Sequence, residues 1–347
     1  MSAASKGFRY CRTGPLPSVL KLEAFSASAV DLEKQVLVKM AYAPIHRTDA
    51  AIINGTALGR LSPTQATATP AVNAGLFPRI GGHEGIGVVV DAGRSQHLRA
   101  GDRVWISPSA STGTWATHVV ADSQFVHALP TSVDTKSLPL ASCATALFAA
   151  KQILSRQYAK IEAGDVVLVN GGSSLTAAAI VFHAKAAGAQ VVAAVAPGSR
   201  FAAAKSRLAD LGASAIVEYN PKGAREVAKL VGDKRVALFA NGVGGPAFND
   251  FARLVRGTCV TYGAQHGAGI MWSGGHQIFN GMDHVGFFAP RALSKMTLQE
   301  RDRTFQEALS GLEVKYPVEP VKSLEDLALS AWDTTYLVGG KKCVFTF

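Results

Sequence analysis

The chain is predicted to fold as a two-domain α/β protein, a β-rich body followed by a doubly wound parallel sheet. Three observations predict it. Between about residues 135 and 290, short apolar runs alternate with helical segments, the spacing of strand–helix–strand units in a parallel sheet. Before about residue 130, the apolar runs are bounded by glycine and have the alternating or β-branched composition of sheet strands. Finally, Val166-Val-Leu-Val-Asn-Gly-Gly-Ser-Ser-Leu-Thr-Ala177 joins a buried strand to a helix through a turn of small residues. Such a turn holds phosphate on the N–H groups of a helix N-terminus, as the first unit of a Rossmann domain does.

In chain order, Phe8-Arg-Tyr-Cys11 reads as a first strand, followed by Val36-Leu-Val-Lys-Met-Ala41, Gly85-Ile-Gly-Val-Val-Val-Asp-Ala-Gly93 and Asp102-Arg-Val-Trp-Ile-Ser107. Ser62 to Gly75 is small and polar without periodicity, so it reads as a surface loop. The alternating region offers strands at Val166–Asn170, Gln190–Ala196, Ala215–Tyr219, Val236–Ala240 and Thr258–Gly263, with a sixth at Met282–Ala289. An Ala-rich helix covers Ala177–Ala187, and Leu298–Leu312 has an amphipathic pattern. The closing run Lys342-Cys-Val-Phe-Thr-Phe347 is a strand that returns to the first domain. The expected division is therefore 1–134 with 291–347, and 135–290.

At 347 residues the chain has room for two cores. Hydrophobic residues make up 48%, yet no run is long enough to cross a bilayer. Cys11, Cys143, Cys259 and Cys343 are scattered without paired spacing, which excludes a disulfide framework or zinc knuckle and suits a reducing compartment. A net charge of +10 attracts acidic partners: phosphate-rich cofactors, coenzyme A thioesters, acyl carriers or RNA. The basic residues form pairs, Lys234-Arg235 and Lys341-Lys342, and no long block, so general basicity in a compartment such as the mitochondrial matrix explains them equally well. No acidic residue precedes Glu23, while Lys6, Arg9, Arg12 and Lys21 do, the composition of a mitochondrial transit peptide. The strand expected at Phe8 leaves about six residues for one. No aromatic RNA-binding strand motif is present.

Several motifs occur in a recognisable order. Pro44-Ile-His-Arg-Thr-Asp49 precedes Ile53-Asn-Gly55, then come Gly81-Gly-His-Glu-Gly-Ile-Gly87, Gly113-Thr-Trp-Ala116, Asn241-Gly-Val-Gly-Gly245 and Arg256-Gly-Thr-Cys-Val-Thr-Tyr-Gly263. The chain resembles the medium-chain dehydrogenase/reductase superfamily over nearly its whole length. It is most similar there to the mitochondrial enoyl thioester reductases. The resemblance implies a GroES-like catalytic domain with a Rossmann dinucleotide-binding domain. It also implies NADPH-dependent reduction of the 2,3 double bond of an acyl thioester, in mitochondrial fatty acid synthesis, with a homodimer as the usual assembly. By position it assigns catalytic roles to His46, Thr56 and Trp115, the last as a wall of the substrate cleft. The cofactor would lie against Asn170, Gly171, Gly172, Ser173 and Ser174, and against Tyr262 and Gly263 at the carboxyl edge of the sheet.

The sequence departs from the family at two places. The family's tyrosine acid falls on Ala57, which can neither donate a proton nor hydrogen-bond an enolate, leaving Thr56 as the nearest hydroxyl. In the phosphate turn, Leu175 and Ala177 stand where glycines are expected, and Leu175 would crowd a phosphate. Val195-Ala-Pro-Gly-Ser-Arg200 lacks the acid that binds the NAD ribose, while Ser199, Arg200 and Lys205 suit a 2′-phosphate. His46 and His83 match the first two ligands of the related zinc alcohol dehydrogenases. A third is wanting around Ala141, Ser142 and Cys143, so no metal is assigned. Two functions stay open. One is an NADPH-dependent enoyl thioester reductase, with a quinone or enone reductase as a variant whose enolate solvent can protonate. The other is a catalytically inactive homologue serving as a scaffold in a mitochondrial assembly, with contact to nucleic acid in a ribonucleoprotein left open.

Overall fold

The computed structural model describes residues 2–28, 31–55, 78–109, 112–266, 270, 274–327, 337 and 339–347. The loop expected at 62–75 lies outside these residues. The chain divides into two compact units, one of residues 1–145, 293–306 and 317–347, the other of 146–292 and 307–316. Residues 135–145 thus pack with the first unit and 307–316 with the second, whereas the sequence division placed each on the other side.

In the first unit, β1 (Ser2–Tyr10) lies between β2 (Lys21–Ser28) and the two-residue β4 (Arg79–Ile80) in a three-stranded antiparallel sheet. A second sheet runs in the order β15 (Val318–Val321), β16 (Lys342–Thr346), β3 (Gln35–Pro44), β5 (Gly85–Asp91), β6 (Arg103–Ile106) and β8 (Val126–Ala128). There β7 (His118–Asp122) also pairs with β3. The acid-poor start of the chain is therefore a strand. Val36, Val38 and Met40 of β3 share a core with Trp115 and Phe345, all buried. A Cβ on Gly87 would come within 2.4 Å of the Lys39 carbonyl oxygen, so only glycine lets β5 approach β3 this closely. The closing strand β16 does return to this unit, pairing antiparallel with β3 through Val344, Phe345 and Thr346.

The second unit is a six-stranded parallel sheet. Its order is β11 (Ala215–Glu218), β10 (Gln190–Val195), β9 (Val166–Asn170), β12 (Val236–Asn241), β13 (Thr258–Thr261) and β14 (Asp283–Gly286). Strand order reverses between β9 and β12, and ligands of doubly wound sheets bind outside the carboxyl ends at such a point. All five residues of β9 are buried, which is why it reads as a continuous apolar run. The helix that follows it, Leu175–Ala186, buries Leu175 together with Ala177 to Val181. Its alanines allow close packing on the sheet.

The helix Pro221–Val231 starts with proline in its first turn and an Asn220 side chain that accepts from Gly223 N at 2.8 Å. The sixth strand is shorter than the sequence suggested, Asp283–Gly286. The helix expected at Leu298–Leu312 is α-helical only to Leu309 and tightens to a 3₁₀ turn over Ser310–Val314. There Gly311 lies against Leu147, leaving about 3.0 Å where its Cβ would be.

Candidate active site

The first unit concentrates its buried charge around two histidines. His46 caps the helix Arg47–Asn54, and its backbone N–H donates to Asp49 Oδ2 at 2.7 Å. The other oxygen, Asp49 Oδ1, lies 2.5 Å from His83 Nδ1. His83 and Glu84 follow the tight Gly81-Gly82 turn into β5. Glu84 is fully buried, and its Oε2 accepts from Trp105 Nε1 (3.1 Å), Thr145 N (2.9 Å) and Thr145 Oγ1 (2.7 Å). Its Oε1 is 2.7 Å from His46 Nε2 but off the line of the ring N–H, so that contact is charge–dipole in character. Lys342, at the start of β16 and 296 residues further along the chain, brings its Nζ to 2.6 Å from His46 Nδ1.

These contacts set the protonation states. Burial and the Lys342 ammonium push His46 down to about 4, against the opposing pull of Glu84, so it is neutral at physiological pH. Burial also acts to lower His83, but the Asp49 carboxylate outweighs it and the net shift is upward. Burial alone would raise Glu84, yet His46 and the Thr145 N–H hold it below the usual carboxylate range. Two adjacent imidazoles, with ring centroids 4.8 Å apart, are thus shifted in opposite directions.

His46, His83 and Glu84 could be read as a metal triad, since one donor atom from each lies within 4.8 Å of the others. The arrangement does not fit one. Two donors on a tetrahedral zinc stand about 3.3 Å apart for bonds of about 2.0 Å, whereas His46 Nε2 and Glu84 Oε1 are 2.7 Å apart. The Lys342 ammonium already supplies the positive charge. Cys143, the nearest thiol to the expected third ligand, points Sγ at the Pro139 carbonyl oxygen, and burial pushes it up to about 12.

His83 and Asp49 line a small recess, together with Tyr10, Ile52, Arg79 and Thr112. The Thr112 hydroxyl is buried without a hydrogen-bond partner. Thr56 and Ala57 lie outside the described residues. Trp115, expected as a wall of the substrate cleft or a buried anchor beneath a turn, is fully buried. Its indole N–H donates to Pro44 O at 3.1 Å, and its ring fills the space that a Cβ at Gly81 or Gly82 would need. It is a packing anchor under the turn that presents His83.

In the second unit the glycine turn is intact where the sequence raised doubt. Leu175 is 1% exposed, a buried residue of the first helical turn. Gly171 adopts a left-handed conformation (φ 65°), and a Cβ on Gly172 would meet Val195 Cγ2 at 2.8 Å. Ser174 caps the helix, its Oγ accepting from Ala177 N at 3.2 Å. The N–H groups of Leu175 and Thr176 belong to the first turn, which has no intrahelical acceptors to offer them. The buried Tyr262 hydroxyl stands beside Ser174 without an aligned hydrogen bond, and its ring lies over Gly242. Gly263 approaches the Gly242 carbonyl, where a Cβ would come within 2.6 Å. Arg200 and Lys205 are exposed at the start of the helix Phe201–Asp210. These residues fit a dinucleotide: a turn that only glycine allows, open N–H donors and an orphaned hydroxyl.

Sequence reasoning singled out Asn170 but missed what it belongs to. Asn170 Nδ2 donates to Asn241 Oδ1 (2.7 Å), Asn241 Nδ2 to Thr261 Oγ1 (3.1 Å), and Thr261 Oγ1 is 2.8 Å from His284 Nε2. One residue comes from each of β9, β12, β13 and β14, so a polar ladder crosses the carboxyl edge of the sheet. Asn170 and Asn241 also accept from Gly242 N (2.6 Å) and Gly244 N (2.9 Å), fixing the loop after β12. An asparagine ending each of two apolar strands was the available signal.

A Ser-His-Asp set also went unread. His127 Nδ1 lies 2.6 Å from Asp302 Oδ1, and its Nε2 lies 3.2 Å from Ser107 Oγ. Ser107 and His127 are fully buried, and the serine hydroxyl reaches the Phe125 carbonyl oxygen at 3.0 Å. With no exposed nucleophile it is an internal tie between the helix Leu298–Leu309 and β8, not a hydrolytic triad.

Comparison with known proteins gives this geometry a lineage. Residues 32–131 match the alcohol dehydrogenase GroES-like domain. A mitochondrial enoyl-[acyl-carrier-protein] reductase of Caenorhabditis elegans is 30% identical over 266 residues, 75% of this chain and 70% of the relative. The chain belongs to the enoyl thioester reductases of the medium-chain dehydrogenase/reductase superfamily. The Dictyostelium discoideum enzyme of the same name is 26% identical to this superfamily member over 87% of its chain and 83% of the relative. Among solved structures, a complex of Etr1p with NADP and crotonyl-CoA aligns with a TM-score of 0.77 at 19% identity, covering 99% of this chain and 100% of the other, a likeness of fold.

Proposed function

We propose that this protein is an NADPH-dependent enoyl thioester reductase of mitochondrial fatty acid synthesis, reducing the 2,3 double bond of acyl chains on coenzyme A or acyl carrier protein. The observation that carries the reading is the turn Gly171, Gly172, Ser173 and Ser174, where Gly171 is left-handed, Gly172 leaves no room for a Cβ and Ser174 caps the helix. Asn170, Tyr262 and Gly263 border the same edge, where a nicotinamide cofactor would supply hydride when bound. Arg200 and Lys205, with no acid between Val195 and Arg200, favour a 2′-phosphate over a bare ribose. The Etr1p structure contains NADP and crotonyl-CoA, and the curated relatives bear the mitochondrial reductase name, which supports both ligand classes and the compartment.

In the first unit, buried groups are arranged to hold protons at defined atoms: His46 neutral between Lys342 and Glu84, and His83 against Asp49. The +10 charge suits anionic thioesters and carriers. A homodimer is the expected assembly, consistent with Ile278 and Phe279 at 75% and 85% exposure on the helix Gly274–Asn280.

Calorimetric titration with NADPH, using NADH as control, tests the reading, followed by crotonyl-thioester reduction. The expected result is micromolar binding at least tenfold selective for NADPH, with turnover. Binding of neither nucleotide would overturn it in favour of the inactive scaffold.

A further inference from the structure

The glycine turn of the second unit is held by residues that its motif does not contain. Within the turn, Gly172 N donates to Ala194 O at 3.0 Å, Ser174 N to Gly171 O at 2.8 Å, and Ala177 N to Ser174 Oγ at 3.2 Å. The N–H groups of Ser173, Leu175 and Thr176 have no acceptor among the described residues. A phosphate needs those donors turned toward it. It also needs the Ser173 carbonyl between them turned away, because a carbonyl oxygen repels an anion.

That carbonyl is occupied. The Tyr316 hydroxyl donates to Ser173 O at 2.5 Å, and Arg207 Nη2, from the last turn of the helix Phe201–Asp210, lies 3.5 Å from the same oxygen. The Arg207 guanidinium also stacks on the Tyr316 ring, 4.7 Å from its centroid. A peptide group is planar, with its C=O and N–H facing opposite ways. The Ser173–Ser174 plane is therefore pinned at both ends, its carbonyl by Tyr316 and Arg207 and its N–H by Gly171 O. Ser173, Arg207 and Tyr316 all belong to the second unit. Tyr316 is buried, and Lys315 just before it has φ 49°, the only positive value at a non-glycine position among the described residues. That conformation is unfavourable for a residue with a Cβ, and it lies at the bend that leads into Tyr316.

Resting on the reductase reading, we propose that Tyr316 and Arg207 are positioning residues for the cofactor's pyrophosphate. They lock the Ser173–Ser174 peptide so that Ser173, Leu175 and Thr176 present their N–H groups to it. The brace acts on the part that NADPH and NADH share. The choice between the two nucleotides rests elsewhere, with Arg200 and Lys205.

The variant Y316F removes one hydroxyl and keeps the ring. Calorimetric Kd values for NADPH and NADH should rise by the same factor, about three- to tenfold, the range for one lost hydrogen bond. Their ratio should be unchanged. In crotonyl-thioester reduction, KM for NADPH should rise while kcat stays within about twofold. In the cofactor-free protein, amide exchange at Ser174 should quicken at least about fivefold, with Val167 and Leu168 of β9 unchanged. R207M, which removes the charge and keeps an apolar stem, should weaken both nucleotides likewise. The double variant should lose less than the product of the two single losses, as partners in one brace do. Wild type that binds NADPH, with Y316F equal to it, would overturn the brace and leave the reductase reading standing. Weakening confined to NADPH would also overturn it, because the pair would then serve the 2′-phosphate. Faster exchange spread evenly through β9 would make Tyr316 a general packing residue and overturn it too. Wild type that binds neither nucleotide would overturn the reading itself, and this inference with it.

Discussion

Leu175 shows how much turns on whether one side chain is buried. By composition it is the wrong residue for a phosphate turn, and by rotation around the first helical turn it is a core residue at 1% exposure. Replacing it with glycine, which restores the family's pattern, should therefore harm the protein. Emptying a buried leucine site costs about 2–5 kcal/mol, and glycine in a helix adds about 0.5–1 kcal/mol. The L175G variant should melt well below wild type with NADPH affinity unimproved, as scanning calorimetry and nucleotide titration would show. A gain in affinity would mean that the leucine does obstruct the turn. His46 teaches the same lesson: its sequence neighbours give no hint of the burial that chiefly keeps the imidazole neutral, nor of Lys342, which arrives from the far end of the chain and adds to it.

At the scale of elements, the ladder from Asn170 to His284 ties four parallel strands at the edge where ligands of this fold bind. Asn241 is its pivot, fully buried, accepting from Asn170 and Gly244 N while donating to Thr261. The substitution N241A strands those partners, and each buried polar group left unpaired costs about 1–3 kcal/mol. We expect a loss of about 2–4 kcal/mol in denaturant unfolding and at least a tenfold weakening of NADPH binding. Unchanged binding would show that the loop after β12 is held by other contacts.

The strands themselves were legible because the sheet buries both faces. Val166–Asn170 and Val236–Asn241 read as unbroken apolar runs. The β1–β2 pair was less so: β2, Lys21–Ser28, is exposed or half-exposed except at Ala27 and mixes Lys, Glu and Ser with its apolar residues. The buried polar pairings were legible as residue types but not as partners. His46, His83 and Asp49 occur in motifs, whereas Glu84 with Thr145 and His127 with Asp302 are joined only by the fold.

For the whole molecule, buried histidines set the response to acid. His46 and His183 are both depressed to about 4, chiefly by burial and then by Lys342 and Lys151 respectively. An unfolded histidine titrates near 6.5, so between about 6.5 and 4 the unfolded chain binds more protons than the folded one and stability falls. His46 alone accounts for a loss on the order of 3 kcal/mol across that window. His83 runs the other way: its raised value adds stability at acid pH that is lost as pH rises through the folded pKa. Unfolding midpoints measured from pH 7.5 to 4.5 should fall steeply below 6.5, and H46Q should flatten the slope. A flat wild-type profile would show that His46 is not held neutral.

The position of β16 has a consequence for how the protein is made. This strand lies between β15 and β3, yet it follows every residue of the second unit in chain order. As the chain leaves the ribosome, the second unit's sheet is complete while β3 still lacks its neighbour. The usual N-terminal-first completion of domains is not open to this chain, because the first unit is discontinuous in sequence. About 145 residues of β-rich chain must wait with an open strand edge, a state prone to misassociation. Until Lys342 to Thr346 emerge, the edge of β3 that pairs with β16 has no partner from this chain.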